Sequence, residues 1–491
     1  MLWLLSFIIY FGIFYFIQKF NNSSLLYGDE WEYQSQAVNF AKGLGFPVHG
    51  GLLKFEEYKF LEGSNDYVAI FTSQNMVDPY RTPLFPLFAG IIYFFFGVNP
   101  YVLKMIQLAF YVIIACGLPL IGWNYWKKKG YLAGILAGIC YIATTYQYAG
   151  SVLTEPLVSL VLYLIIVFWI RYDNKNTFVN AVLLGLLLGV SWLTKGILMP
   201  LACFIMLLMF VKFIRQKKRS VFYKLLIIGC SFLLPIAVYS IYLNTKLDKF
   251  VLISTQGEAA LLDSHNEYMK NGFWAPDWRQ YPNSFYNTDQ MKNRPAFLRV
   301  INFYKSHPKL ILKLAKDKLL YGFMVFYSIW LLYLILLADG LLWITGRFIK
   351  NKHAVRLVGY VIFIGFLSAF ARVIMLLQGN EYILNEKLVA QITSLGSYFI
   401  WLLLAGTGML LLGIYNKRFS GIPNIFIIIF TSFVIMVVLT CLPIREIRYI
   451  KVIDFMFILT GILAAINFIL QVFQFKNTTR QTDLNTISDA I

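Results

Sequence analysis

Long apolar stretches recur along this chain and are separated by shorter polar segments. A helix that crosses a bilayer needs about 20 largely apolar residues. Stretches close to that length lie at residues 2–19, 101–125, 131–150, 155–171, 177–194, 197–214, 222–244, 321–346, 356–377, 391–414, 422–442 and 452–475. The pattern predicts an all-α polytopic membrane protein with about twelve transmembrane helices. The first stretch lacks a basic start and a small-residue cleavage site, so we interpret it as a retained span.

Positive charge distinguishes the two sides of the predicted bundle. Lys and Arg cluster on the even-numbered connections and the tail, at residues 127–129, 171–175, 215–219, 347–356, 417–418 and 476–480. Cytoplasmic loops carry an excess of these residues. We therefore expect a multi-pass protein of the cell inner (plasma) membrane with both termini in the cytoplasm. The shorter apolar run at 83–98 would reverse this assignment if it crossed, so we interpret it as a re-entrant or juxtamembrane helix.

Two long segments, at residues 20–100 and 246–320, then lie on the external face. Both are too rich in aromatic and apolar residues for solvated linkers. We expect them to pack together over the outer helix ends, with juxtamembrane helices in the headgroup region. The predicted divisions are an N-terminal transmembrane module at 1–245 that includes the first loop, the second external loop at 246–320, and C-terminal transmembrane helices at 321–491.

Composition supports the membrane interpretation and removes a competing one. The chain is 59% hydrophobic and only 14% charged, whereas soluble domains contain about 25% charged residues. The net charge of +19 would otherwise indicate nucleic acid. Because the basic residues follow the predicted membrane sides, we predict membrane lipids as partners and no nucleic acid.

Charged residues near the outer ends of the spans, and the tyrosines adjacent to two of them, are the candidates for function, because ionisable groups close to a bilayer are expensive. The candidates are Asp29 and Glu30 after the first span, Tyr80 and Arg81 before the short apolar run, Glu155 after the third span, Lys195 on an outer turn, and Arg448 and Tyr449 before the last span. Structural roles stay open beside the functional ones. The acids could favour helix N-termini, and Arg81 could extend toward lipid phosphates.

The mixture of acids and cations on one rim favours a particular chemistry. An acid can remove a proton while cations stabilise a departing phosphate. A channel filter would instead require a ring of like charges or of carbonyl groups. The alternative to an enzyme with this chemistry is a transporter or flippase of a lipid-linked saccharide. Such a protein would need charged groups near the bilayer midplane. Asp339 and Arg372 are the candidates for such groups.

The order of short motifs resembles the bacterial protein-mannosyltransferase-like members of the C-type glycosyltransferase superfamily. That group comprises glycosyltransferase family 39 and its relatives, including the lipid A aminoarabinose transferases. The series runs from Asp29-Glu30 through the segments 80–84, 153–157, 185–195 and 252–257 to Arg448-Tyr449. Each motif is short, so the specificity of the resemblance lies in their order along nearly the whole chain.

The resemblance implies an inverting enzyme that transfers a sugar from a polyprenyl-phosphate donor to an acceptor hydroxyl on the external face. The acceptor could be a glycan, a lipid or a protein. By this likeness Asp29 matches the catalytic acid of the first loop, with Glu30 as its supporting neighbour. Arg81 matches the basic residue at the donor phosphate, and Glu155 matches the acid after the third span. The further substrate-binding residues that we expect are Tyr80, Lys195, Arg448 and Tyr449.

Two positions depart from the aminoarabinose transferases. Glu32 stands where an arginine follows their Asp-Glu motif, and Tyr80 stands where a glutamate precedes their basic residue. We therefore do not assign lipid-linked aminoarabinose as the donor, and the identity of the sugar is left open. The sequence predicts no cofactor and no metal ligand, although a divalent metal is left open.

Overall fold

The computed structural model describes residues 7–12, 15, 29–43, 79–145, 151–175, 177–247, 250–268, 284–292 and 294–314, and short pieces between 452 and 466. Every regular element in these ranges is helical, as the sequence predicted. The predicted spans at 321–346, 356–377, 391–414 and 422–442 lie outside the described residues. So do Asp339, Arg372, Arg448 and Tyr449.

The helices are numbered here in chain order. They are α1 (Asp29–Ala41), α2 (Leu84–Phe96), α3 (Pro100–Thr145), α4 (Glu155–Asn174), α5 (Phe178–Thr194), α6 (Met199–Gln216), α7 (Arg219–Asn244), α8 (Gln256–Asp263), α9 (Asp289–Lys292) and α10 (Ala296–Ser306). Short 3-10 turns occupy Gly196–Leu198 and Phe285–Asn287. The adjacent acids Asp29 and Glu30 lie at a helix N-terminus, because α1 begins at Asp29 and buries Tyr33 and Ala37.

Among the described residues, four helical stretches are long and apolar enough to cross a membrane. They are Pro100–Ile142, Glu155–Asn174, Gly196–Gln216 and Arg219–Asn244. Only 28% and 22% of the most apolar windows of the last two are buried within the protein. Apolar surface on that scale requires an apolar solvent or a partner, which agrees with the prediction of a membrane protein. The helices α2 and α5 are apolar but shorter.

The chain divides into two compact units. The first comprises Met1–Cys116, Ile142–Lys318 and Asn424–Ile453, and the second comprises Gly117–Tyr141, Leu319–Pro423 and Asp454–Ile491. The described candidate residues all lie in the first unit. The domain boundaries predicted near residues 245 and 320 stay predictions.

The helical run α3 reverses direction at Lys127, which belongs to the second unit. This residue has a positive φ of 53° and separates two helices. A Cβ atom on Gly122 would overlap the backbone of Gly130, and one on Gly134 would overlap that of Pro119. These contacts join residues before Lys127 to residues after it in reverse order, as in an antiparallel hairpin. The predicted boundary between the stretches 101–125 and 131–150 therefore falls at the observed turn.

Within the first unit, α5 packs closely on α7. This packing sets the position of the C-terminal end of α5. A Cβ atom on Gly185 would overlap the carbonyl of Ile228, and one on Gly189 would overlap that of Phe232. Near the same end, the rings of Trp192 and Phe232 stack with centroids 5.9 Å apart. Glycine is thus needed on α5 because the α7 backbone fills the space of a side chain.

The two segments predicted as external loops are joined by backbone hydrogen bonds. The N–H of Thr255 donates to the carbonyl of Pro79 at 2.8 Å, and the N–H of Gln256 donates to that of Tyr80 at 3.1 Å. The expectation that these segments pack together is therefore confirmed at this point. The second segment also has a small core of its own, formed by Leu262, Tyr286, Ala296, Val300 and Phe303.

We predict that Gly189→Ala lowers the free energy of unfolding by about 1–3 kcal/mol, because the added methyl group forces α5 away from α7. The matched control is Gly229→Ala on α7, where the nearest neighbour is the flexible end of Met206 at 3.1 Å. Thermal melting of the detergent-purified variants measures the difference. Equal melting temperatures for the two variants would contradict the close packing of α5 on α7.

Candidate functional site

Four segments that are distant in sequence meet in a closed series of contacts. They are the first turn of α1, the stretch 79–83 before α2, the stretch 152–155 at the start of α4, and the end of α5 with Lys195. Each segment is joined to the next by a hydrogen bond or an ion pair. We call this arrangement the polar ring, and it lies within the first unit.

Arg81 pairs with two carboxylates from α1. Its Nη2 lies 2.7 Å from Oδ1 of Asp29, and its Nε donates to Oε2 of Glu32. Asp29 and Glu32 are three positions apart on one helix, so their side chains extend from the same face. The prolines at 79 and 83 flank Arg81 and restrict the backbone that carries it. The sequence therefore builds a helix face with two acids opposite a constrained arginine.

Two aromatic rings complete the surroundings of the guanidinium group. The Cζ of Arg81 lies 5.2 Å from the ring centroid of Tyr33 and 5.3 Å from that of Tyr80, distances typical of cation–π contacts. Burial opposes the charge of Arg81, but Tyr33, Asp29 and Glu32 outweigh it and raise its pKa above the ordinary value. Burial, together with nearby carboxylates, also raises the pKa of Tyr80. At neutral pH the site thus holds a charged arginine beside a neutral phenol.

Glu30 points to a different partner from its neighbours. Its Oε1 accepts the backbone N–H of Val152 at 2.7 Å, and it interacts electrostatically with Lys104 near the start of α3. The amide of Gln107, one turn further along α3, donates to the carbonyl of Leu153 at 2.7 Å. Glu30 therefore joins the segment that precedes α4 to the first turn of α1. It does so beside the buried Lys104.

Glu155 and Lys195 form the second ion pair of the polar ring. Lys195 Nζ lies 2.8 Å from Oε1 of Glu155 and 3.3 Å from Oγ1 of Thr154, and both side chains are buried. Glu155 also begins α4, directly before Pro156, where an acid is favourable for the helix dipole. Glu155 thus both favours the start of α4 and pairs with the buried Lys195.

A hydroxyl group closes the series. Thr82 Oγ1 donates to the carbonyl of Thr194 at 2.8 Å, so the residues next in sequence to Arg81 and Lys195 are in contact. The ring brings two kinds of ion pair into one neighbourhood. The Arg81 pair includes partly exposed carboxylates, whereas the Lys195 pair is almost fully enclosed.

The structure thus brings together the predicted residues that it describes, namely Asp29, Glu30, Tyr80, Arg81, Glu155 and Lys195. Sequence reasoning missed Lys104 and the pairing of Glu32 with Arg81. Lys104 had a usable signal, because a lone lysine within a long apolar run is costly. Glu32 could have been found from its spacing to Asp29.

No three His, Cys, Asp or Glu side chains lie close enough to hold a metal ion in the part of the chain that the structure describes. The absence of a cofactor stays a prediction.

Comparison with known proteins gives no relative: no family model, curated protein or solved structure matches the chain. The resemblance to C-type glycosyltransferases therefore stays a prediction.

We predict that Lys195→Met lowers the free energy of unfolding by about 3–5 kcal/mol, because it leaves the Glu155 carboxylate buried without its partner. Glu155→Gln should be destabilising for the same reason. The double variant should lose less than the sum of the two, since it leaves no buried charge. A double-mutant cycle from chemical denaturation measures this coupling. Additive losses would show that the two side chains do not stabilise each other.

Proposed function

We propose that this protein is a membrane glycosyltransferase that transfers a sugar from a polyprenyl-phosphate donor to an acceptor hydroxyl, with inversion. The observation that carries the proposal is the convergence of Asp29, Arg81, Glu155 and Lys195 from four segments. Residues that only capped separate helices would have no reason to form one ring.

Two carboxylate environments in the ring support a division of roles. The side chain of Asp29 is 26% exposed and lies beside Arg81, so an acceptor hydroxyl can reach it next to a cation. Glu155 is enclosed and bound to Lys195, which suits a group that positions others. Asp29 is therefore our candidate for the proton acceptor. Arg81 and Lys195 are our candidates for stabilising negative charge.

The proposed reaction is a single displacement at the anomeric carbon. The acceptor oxygen bonds to that carbon as the bond from the carbon to the phosphate oxygen breaks, through an oxocarbenium-like transition state. The hydroxyl proton passes to Asp29, and the bonding electrons leave with the polyprenyl phosphate. The phosphate gains one negative charge in this step, and Arg81 stabilises it. No strong general acid is required.

The proposed setting is a bundle of about twelve spans with both termini in the cytoplasm and the polar ring at the external face of the inner membrane. The donor would enter from the lipid phase. The hydrogen bonds from Thr255 and Gln256 to the 79–80 backbone support a role for the second external segment in covering the site. The acceptor could be a glycan, a lipid or a protein.

We predict that Asp29→Asn lowers turnover by about 100- to 10,000-fold, the usual contribution of a positioned base. Purified protein would be incubated with a panel of polyprenyl-phosphate sugars and acceptor hydroxyls, and the release of free polyprenyl phosphate would be measured. The control is Asp173→Asn, which removes an exposed carboxylate from the C-terminal end of α4. Near-normal turnover in a folded Asp29→Asn protein would remove Asp29 from the base role. Failure of the wild type to release polyprenyl phosphate from any donor would oppose the function itself.

A further inference from the structure

The two carboxylates on Arg81 occupy the edge of the guanidinium that a phosphate would use. Nε and Nη2 point from the same side of the planar group, and two oxygens of one phosphate can bind this pair together. Here Nη2 binds Asp29 and Nε binds Glu32. Two separate carboxylates therefore share a position that fits a single bidentate anion.

Other approaches to Arg81 are restricted. Its side chain is only 6% exposed, and the rings of Tyr33 and Tyr80 both lie about 5 Å from the guanidinium carbon. The carboxylates are more accessible, at 26% for Asp29 and 48% for Glu32. A ligand arriving from outside consequently meets these carboxylates before it reaches the cation.

Charge also argues against adding an anion to the site as it stands. One guanidinium and two carboxylates carry a net charge of −1. A phosphodiester would bring this local charge to −2 in a partly buried place, where repulsion is weakly screened. Departure of one carboxylate as the anion arrives would keep the charge at −1.

Glu32 is the carboxylate suited to leave. It is the more exposed of the two and recovers its hydration when it swings outward, whereas Asp29 is the less exposed. We propose that Glu32 is a place-holder that occupies the phosphate position on Arg81 in the empty site and is exchanged for the phosphodiester of the donor. This inference rests on the proposed function, and it assigns to Glu32 the selection of an anionic headgroup.

The exchange makes binding selective. A neutral headgroup cannot compensate Arg81 for the loss of a carboxylate, because its oxygens carry no negative charge to pair with the guanidinium. An anion whose oxygen accepts the Nε–H in place of Glu32 can. In the empty site, Glu32 meanwhile supplies an acceptor for the buried Nε–H of Arg81, which would be costly to leave unpaired. Removal of the Glu32 charge should therefore favour anion binding without changing apolar contacts.

The test is a binding measurement on the purified full chain. The probe is a short-chain isoprenyl methyl phosphodiester, and the corresponding neutral phosphotriester reports apolar binding alone. We expect Glu32→Gln to bind the diester about fivefold more tightly than the wild type, the scale of one partly exposed ion pair. Triester binding should be unchanged. The control Glu258→Gln removes an exposed carboxylate from α8, and should leave both affinities unchanged.

The possible outcomes separate this inference from the proposed function. Equal diester affinity in wild type and Glu32→Gln would overturn the place-holder role, and so would an equal gain in Glu258→Gln. Glu32→Asp is a second variant that keeps the charge but shortens the reach to Arg81, and it should also bind the diester more tightly. Arg81→Met should lose the diester and keep the triester. Full diester binding by Arg81→Met would instead remove the phosphate contact on which the proposed function relies.

Discussion

The pairing of buried cations determines how this part of the chain is arranged. Arg81 and Lys195 are both buried, and a buried charge without a partner is strongly unfavourable. Their carboxylate partners Asp29 and Glu155 lie 52 and 40 positions away in sequence. Each pair can form only if distant segments are brought together. The same electrostatic requirement therefore holds α1 against the 79–83 stretch and α4 against the end of α5.

Apolar packing and polar contacts have complementary roles in placing these pairs. Close contact of Gly185 and Gly189 with α7 sets the position of α5, and Lys195 follows directly after it. Packing of this kind fixes helices but does not align individual polar atoms. The hydrogen bond from Thr82 to Thr194 supplies that alignment. A small shift of α5 would consequently displace Arg81, because Thr82 is the neighbour of Arg81 in sequence.

Sequence alone could predict the helices and turns better than it could predict which acidic side chain pairs with which basic one. Local signals indicate three of the element boundaries. Adjacent acids mark the helix start at Asp29, a basic cluster marks the turn at Lys127, and a following proline marks the start of α4 at Glu155. The gathering of Asp29, Arg81, Glu155 and Lys195 was also expected from their shared place at the outer ends of spans. Which acid pairs with which cation was not, because it depends on tertiary geometry. Glu30 turns to Val152 although it adjoins Asp29, and Glu32 reaches Arg81.

The two ion pairs differ in a way that has consequences for chemistry. Lys195 and Glu155 are both enclosed, so exchange of either partner would expose a charge to a low-dielectric interior. Arg81 has a half-exposed partner in Glu32, so exchange there is far less costly. The proposed reaction requires the site to bind an anion, release it with an added charge and return to its empty state. In this proposal the enclosed pair preserves the geometry, and the open pair permits the exchange.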